Sequence, residues 1–115
     1  MSQTVRFQET LRRLTMIDEV FVEGQAGLGL ACASALDGKT AALVRLGAAV
    51  AIGSPGVCLE WSTSRALAAG ASKDEIAEAL LAIVLVAGLG RVASAAPDVA
   101  IALDYDIEAA LEEPG

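Results

Sequence analysis

The sequence predicts an all-α fold, and three features support that class. Hydrophobic residues make up 55% of the chain and include 24 alanines, and alanine is the strongest helix former. Apolar residues recur at helical spacing, and helix-capping patterns separate the apolar segments. Because 115 residues leave room for one domain, the chain is predicted to form a single domain over residues 1–115, a compact bundle of about six helices.

The N-terminal third of the chain has one clear helical pattern. Residues 3–17 predict an amphipathic helix, with apolar positions interleaved with arginines and glutamates. Residues 18–23 are compatible with a further short turn of helix. Residues 24–36 contain three glycines and predict a mixed loop with a helical piece.

Two helices follow, each with a start signal. Asp37 is a suitable N-cap for a helix over residues 39–53. Ser54 and Pro55 predict an N-cap and a first-turn proline for a helix over residues 55–69. Gly70 is placed to end that helix, since glycine readily adopts the left-handed conformation of a helix C-terminus.

The next predicted helix is unusually apolar. Ser72 and Glu75 have capping-box spacing, and the helix behind them is polar only in its first turn. From residue 79 to residue 89 every position except Gly88 is apolar, so this helix needs cover on all sides. In so small a domain part of that cover is expected from another copy, which predicts a homo-oligomer. Two last helices are predicted near residues 90–103 and 105–113.

Charge and hydropathy argue against two classes of partner. The net charge is −7, and residues 98–113 hold six acids and no base, so no nucleic-acid partner is expected. The simplest interpretation of these acids is a solubilising tail. The longest apolar run has 12 residues and stops at Arg91, whereas a spanning helix needs about 20. Without a signal-peptide pattern, the protein is expected to be cytoplasmic and to have no membrane contact.

Missing residue types exclude several chemistries. The sequence has no histidine, which excludes a Ser-His-Asp triad, a Cys-His pair and histidine-ligated metal. Cys32 and Cys58 are too few for a disulfide framework or a zinc site. No metal and no cofactor are therefore expected.

One motif imitates a dinucleotide site. Gly88, Gly90 and Ala93 match a G-x-G-x-x-A fingerprint after an apolar run. The capping box places that run inside a helix, and too few residues follow for a second strand-helix-strand unit. The glycines are better explained as close helix contacts or as a break between two helices.

The order of three segments resembles a known family. LDGKT at 36–40, CLEW at 58–61 and RALAAGASKDEIAEAL at 65–80 are similar to the carboxymuconolactone decarboxylase family, which includes the alkylhydroperoxidase D-like proteins. The resemblance covers roughly residues 36–95. It implies an alkylhydroperoxidase D-like all-α fold that assembles into homotrimers or homohexamers.

The chain departs from the pattern of the family's redox members, which carry Cys-x-x-Cys-x-x-x-His and an upstream carboxylate. Cys58 takes the second cysteine position, Pro55 the first and Ser62 the histidine position. Residues 41–46 contain Arg45 but no acid. Because a vicinal disulfide and a base near the thiol are both missing, this degenerate active site is not expected to catalyse thiol peroxidase chemistry.

One helix face still carries reactive groups. At about 100° per residue, Cys58, Trp61, Ser62 and Arg65 share a side of their helix. Cys58, Ser62 and Arg65 are the candidate catalytic residues, and Trp61 is a candidate ligand-binding residue. Each has a structural alternative: a small buried thiol, a core or interface indole, a helix-filling serine, and an arginine in an ion pair.

Arg45 and Arg91 complete the candidate ligand-binding set, because lone charges among Ala and Leu either pair with one another or line a pocket. The resulting functional hypothesis is a lyase or binder acting on small carboxylated metabolites. If enzymatic, it would be a cofactor-free decarboxylase-like lyase, with an arginine stabilising enolate charge and Tyr105 or a carboxylate of another subunit returning a proton. The alternative is a non-catalytic oligomeric scaffold or binding module on the same fold.

Overall fold

The computed structural model describes residues 3–27 and 35–112, and within these ranges the regular structure is entirely α-helical, which confirms the predicted fold class. No helix in these ranges is long and apolar enough to cross a membrane. Cys32, in the predicted loop over residues 24–36, lies outside the described residues. Glu113, at the end of the last predicted helix, also lies outside them. The described helices are α1 (Gln3–Thr15), α2 (Glu19–Gly27), α3 (Gly38–Ala51), α4 (Gly56–Ala68), α5 (Lys73–Ala82), α6 (Val84–Ala87), α7 (Leu89–Ala102) and α8 (Ile107–Glu112).

The chain divides into two compact units, Met1–Asp37 and Gly38–Gly115. In the first unit, Glu9 accepts hydrogen bonds from Arg12 and Arg13, each at 2.7 Å. The bond from Arg12, which has the larger effect, and the bond from Arg13 lower the pKa of Glu9 to about 2. Arg13 also pairs with Asp18 at 3.0 Å, so charged contacts link α1 to the turn before α2.

The second unit contains the core and the helices that carry the candidate residues. In it α3 packs against α4, α5 and α7, and α4 packs against α7. Alanines at the contacts let these helices approach closely, and larger aliphatic side chains fill the remaining space. The buried aliphatic residues include Leu46, Val50, Leu59, Ile76 and Val99.

The predicted signals between α4 and α5 are confirmed. Gly70 adopts a φ of +101° just after α4, and its N–H donates to the Leu67 carbonyl at 3.0 Å. Ser72 Oγ accepts from the Glu75 N–H at 3.0 Å, and Glu75 Oε1 accepts from the Ser72 N–H at 2.9 Å. The second oxygen of Glu75 pairs with Lys39 Nζ at 2.9 Å, which ties the start of α3 to the start of α5.

Glu75→Gln is expected to destabilise the protein more at pH 7 than at pH 3. The Ser72 backbone N–H, followed by Lys39, lowers the pKa of Glu75 below its ordinary 4.5. A carboxyl group with a lowered folded-state pKa contributes stability above its unfolded-state pKa, and this stability is lost as the pH falls through the folded-state value. Urea unfolding at both pH values measures the difference. Glu78→Gln, an exposed change on the same helix, is the control, and equal pH dependence in both variants would contradict the prediction.

The apolar helix predicted after Ser72 is interrupted, which accounts for part of the higher helix number. α5 ends before Ile83, and α6 is separated from α7 by Gly88, whose φ is +93°. At Ile83 the side chain packs against α3, since a β-carbon on Gly47 would lie 3.3 Å from Ile83 Cγ2. Gly88 and Gly90 have open space around them, so of the two interpretations of these glycines the helix break at Gly88 is the correct one.

The predicted start of α4 is wrong by one position. Pro55, not Ser54, is the N-cap, with φ −57° and ψ 154°, and no side chain caps this helix. The extended ψ of Pro55 directs its carbonyl into the helix, where it accepts from the N–H groups of Cys58 at 2.9 Å and Leu59 at 3.2 Å. Helix α4 therefore begins at Gly56 without a side-chain ligand for its first amides.

Candidate functional site

The face of α4 that carries four candidate residues points away from the core. The buried side of α4 consists of Leu59, Thr63 and Ala66. The other side carries exposed and half-buried groups at the predicted spacing. Its members are Cys58, Trp61, Ser62 and Arg65.

Trp61 and Arg65 contact each other on this face. The Arg65 guanidinium carbon lies 5.1 Å from the centroid of the Trp61 ring, in cation–π geometry. Trp61 is 62% exposed, so the contact contributes only about 0.5–1 kcal/mol. Arg65 is exposed and no described carboxylate pairs with it, so the ion pair that is its structural alternative is not seen within one chain.

Cys58 is a free and exposed thiol, so within one chain the interpretation as a small buried side chain is wrong. Pro55 lies one turn earlier, at the position of the first cysteine of the redox pattern. Ser62, half-buried, lies one turn later, where that pattern requires histidine. The local geometry therefore supplies a thiol and a hydroxyl without a neighbouring base.

Arg45 lies on the solvent side of α3, whose opposite side is buried through Leu46 and Val50. Like Arg65, it forms no ion pair with a described residue. Of the two alternatives for these lone charges, pairing with one another is not seen for Arg45 or Arg65 among the described residues of one chain.

A cleft of about 510 Å³ opens elsewhere, between the α3–α4 turn and α7. Val50, Leu59 and Ala95 form its apolar part, and Gly53 and Gly90 also line it. This volume lies within the usual range of about 300–1,000 Å³ for small-molecule sites. The polar residues lining the cleft are Ser54, Arg91, Ser94 and Asp98.

Arg91 is the candidate arginine that lines this cleft. Its Nη1 atom lies where a β-carbon on Gly53 would stand, so the guanidinium rests directly on the glycine backbone. Gly53 has a φ of +74° and follows the C-terminus of α3, where a positive charge complements the helix dipole. Arg91 forms no hydrogen bond or ion pair with any described residue, so its planar donors remain available.

Asp98 is the second charged residue of the cleft. A β-carbon on Gly56 would lie 2.6 Å from Asp98 Oδ1, so the carboxyl group packs against the first residue of α4. This is the end of a helix where a negative charge is favoured. Asp98 is half-buried and has no ion pair with Arg91 or with another described residue.

Sequence reasoning missed Asp98, Ser94 and Ser54. A signal for two of them exists, because Arg91, Ser94 and Asp98 stand at i, i+3 and i+7, which is one side of a helix. Asp98 was assigned to the solubilising tail because five further acids follow it. Ser54 was interpreted as a helix cap, but its side chain does not cap α4.

Tyr105, the suggested proton donor, lies in a different place. It lines a second cleft of about 460 Å³ at the start of α8, together with Pro97, Ile101 and Asp104. Tyr105 is not among the residues that line the Arg91 cleft. The described residues contain no group of three or more histidine, cysteine, aspartate or glutamate side chains arranged to hold a metal ion.

Comparison with known proteins identifies one family. The model of the carboxymuconolactone decarboxylase family matches residues 19–100, from the start of α2 to near the end of α7. The matched range contains all six predicted site residues and both charged residues of the cleft. Neither the curated proteins nor the solved structures gave a match.

Proposed function

Because the chain belongs to the carboxymuconolactone decarboxylase family, we propose that it binds a small carboxylated metabolite in the cleft between the α3–α4 turn and α7. Arg91 is the proposed anchor for the carboxylate. Thiol peroxidase chemistry is not part of the proposal, because Pro55 stands in place of the first cysteine of the redox pattern and Ser62 in place of its histidine. The exposed free thiol of Cys58 is typical of a reducing compartment, which supports a cytoplasmic location.

The unpaired guanidinium of Arg91 is the observation that carries this proposal. A guanidinium binds a carboxylate through two parallel N–H···O bonds, and such charge-assisted bonds are among the strongest in proteins. The guanidinium of Arg91 lies against the backbone of Gly53, at the edge of the cleft that it lines. Arg45 and Arg65 are also unpaired, but neither lines this cleft.

Small carboxylates are expected to raise the melting temperature of the wild-type protein and not that of Arg91→Gln. A ligand that binds only the folded state at 100 times its Kd stabilises it by about 2.7 kcal/mol. Differential scanning fluorimetry with butyrate, pentanoate, succinate and glutarate measures the shift. Arg45→Gln and Arg65→Gln, equivalent changes outside the cleft, should keep it. The assignment of the anchor would be contradicted if Arg91→Gln kept the shift in melting temperature while Arg45→Gln or Arg65→Gln lost it.

A lyase form of the proposal adds one reaction to binding. The bond from carbon to the carboxylate breaks, carbon dioxide leaves, and the electron pair enters the conjugated carbonyl system of an unsaturated lactone acid as an enolate. Arg91 would stabilise that charge, and a proton must then be added to carbon. Water in the open cleft would supply that proton, because Asp98 is an ionised carboxylate and Tyr105 lines the other cleft. Release of carbon dioxide by the wild-type protein, abolished in Arg91→Gln, would support the lyase form. If the wild-type protein binds the lactone acid but releases no carbon dioxide, it is a binding protein.

The second candidate function is an oligomeric scaffold, and the apolar surface of α6 supports the association between copies that a scaffold requires. Leu85 is 98% exposed and Val86 is 89% exposed in the single chain. Leu81 and Leu89 continue the same exposed stretch. Burying one such side chain against a partner contributes roughly 1.5–3 kcal/mol, so we propose that α6 lies in the contact between copies of a homotrimer or homohexamer.

Leu85→Glu is expected to reduce the molar mass in solution from that of three or six chains to that of one. The change puts a charge where the partner's apolar surface would otherwise lie, and it removes no contact within the chain because Leu85 is exposed. Size-exclusion chromatography with light scattering measures the mass. Leu111→Glu makes the same change at another exposed leucine, on α8, and should leave the mass unchanged. A single-chain mass for the wild-type protein would contradict the proposal.

A further inference from the structure

The cleft holds two opposite charges that neither pair with each other nor with another described residue. We infer from this that its ligands carry both a carboxylate and an ammonium group, as short ω-amino acids do. Arg91 binds the carboxylate and Asp98 binds the ammonium. This inference rests on the proposed carboxylate-binding function and specifies the class of ligand.

The two charged residues are separated by the geometry of one helix. Seven residues correspond to two turns of α7, so the Cα atoms of Arg91 and Asp98 lie about 10.5 Å apart along the helix axis and on the same side. No ion pair closes this distance, and Ser94 stands between them. The space between the charges is therefore available to a ligand that reaches both.

Each charged side chain also contacts a glycine, and neither contact neutralises its charge. Arg91 rests on Gly53 beyond the C-terminus of α3, and Asp98 rests on Gly56 at the first residue of α4. Helix dipoles favour a cation at the first position and an anion at the second. The dipoles and glycine contacts therefore favour the positions of both charged groups without neutralising them.

The surroundings between the charges suit a short methylene chain. Val50, Leu59 and Ala95 line the cleft and, being almost fully buried, contribute a small apolar surface. Ser54 and Ser94 add hydroxyl groups that can donate to a carboxylate or accept from an ammonium. A second carboxylate in place of the ammonium would meet Asp98 as a like charge, and a methyl group would leave Asp98 without a partner.

Three molecules with five carbon atoms each test the inference. In 5-aminopentanoate, pentanoate and glutarate, one end is a carboxylate and the other is ammonium, methyl or carboxylate. Isothermal titration of the wild-type protein should give a Kd for 5-aminopentanoate at least tenfold below that for pentanoate, with glutarate weakest. Asp98→Asn should weaken 5-aminopentanoate at least tenfold and leave pentanoate unchanged, whereas Arg91→Gln should weaken all three.

Asp104→Asn is the matched control, because it removes the same type of group from a residue of the other cleft and should preserve the order of affinities. Circular dichroism melts establish that each variant is folded. If pentanoate or glutarate binds as well as 5-aminopentanoate, and Arg91→Gln still abolishes binding, the ammonium inference is overturned and the proposed function stands. If none of the three binds the wild-type protein, the proposed function is overturned as well.

Discussion

Replacing Gly53 with alanine is expected to lower the free energy of unfolding by about 1–3 kcal/mol and to raise the Kd for small carboxylates at least tenfold. The residue has a φ of +74°, a conformation that is costly for side chains with a β-carbon. The new methyl group would also occupy the position of Arg91 Nη1. The guanidinium must then move off the backbone that positions it, and the cleft loses its anchor.

Gly70→Ala separates the two effects of that change. Gly70 also has a positive φ, +101°, but no atom lies within 4 Å of the position of its β-carbon. Both variants should therefore be destabilised in urea unfolding, and only Gly53→Ala should lose binding in titrations with pentanoate. Unchanged affinity in Gly53→Ala would contradict the placement of the anchor. Equal loss in both variants would show that backbone strain alone, rather than the position of Arg91, controls binding.

Leu46→Ala is expected to have the largest effect on stability, a loss of about 2–5 kcal/mol. Leu46 is 0% exposed and lies on α3, which packs against α4, α5 and α7. Removing its buried methyl groups forfeits apolar burial and leaves a cavity that the surrounding helices fill only in part. Urea unfolding followed by circular dichroism, at one fixed protein concentration, measures the change.

Val44→Ala is the control for that experiment because Val44 lies on the same helix but is exposed. It should change the free energy of unfolding by no more than about 0.5 kcal/mol. A loss below about 1 kcal/mol for Leu46→Ala would mean that α3 does not form the centre of the core. A large loss for Val44→Ala would indicate that its surface is covered by another copy of the chain.

The parts of the fold that the sequence predicts are those set by local chemistry. Ser72 and Glu75 satisfy each other's backbone groups wherever the helix lies, so the capping box can be recognised without knowing the neighbours. Gly70 and Gly88 have positive φ values that few other residues adopt, and both mark helix ends. Family membership was likewise predictable, because the order of three segments survives the loss of the redox residues.

The features that sequence reasoning missed depend on contacts between distant segments. The interruption at Ile83 places its side chain against Gly47, and no pattern within residues 79–89 indicates that contact. An ion pair is one interpretation of Arg65 from the sequence, but its side of α4 is exposed, and the buried residues of this helix lie on another side. Helical spacing alone gives relative orientation, and it does not say which side of a helix meets the core.

Asp98 shows how a correct composition argument can hide a site residue. Its acidic neighbours made the whole C-terminal segment look like a solvated tail, and most of that segment is exposed. Asp98 differs because α7 turns it toward the same cleft as Arg91. Testing each charge for partners at i+3 and i+7 would have separated it from the acids that follow.

Arg91 and Asp98 both belong to α7, which fixes their order and spacing along the cleft. Because both charged residues belong to one helix, their separation is set by the rise of that helix and not by a loop. Exchanging the residues at 94 and 98, as Ser94→Asp with Asp98→Ser, would place the carboxylate three residues after Arg91, a spacing at which the two side chains can pair with each other. The spacing of seven residues therefore keeps the two charges of the cleft from neutralising each other along the helix.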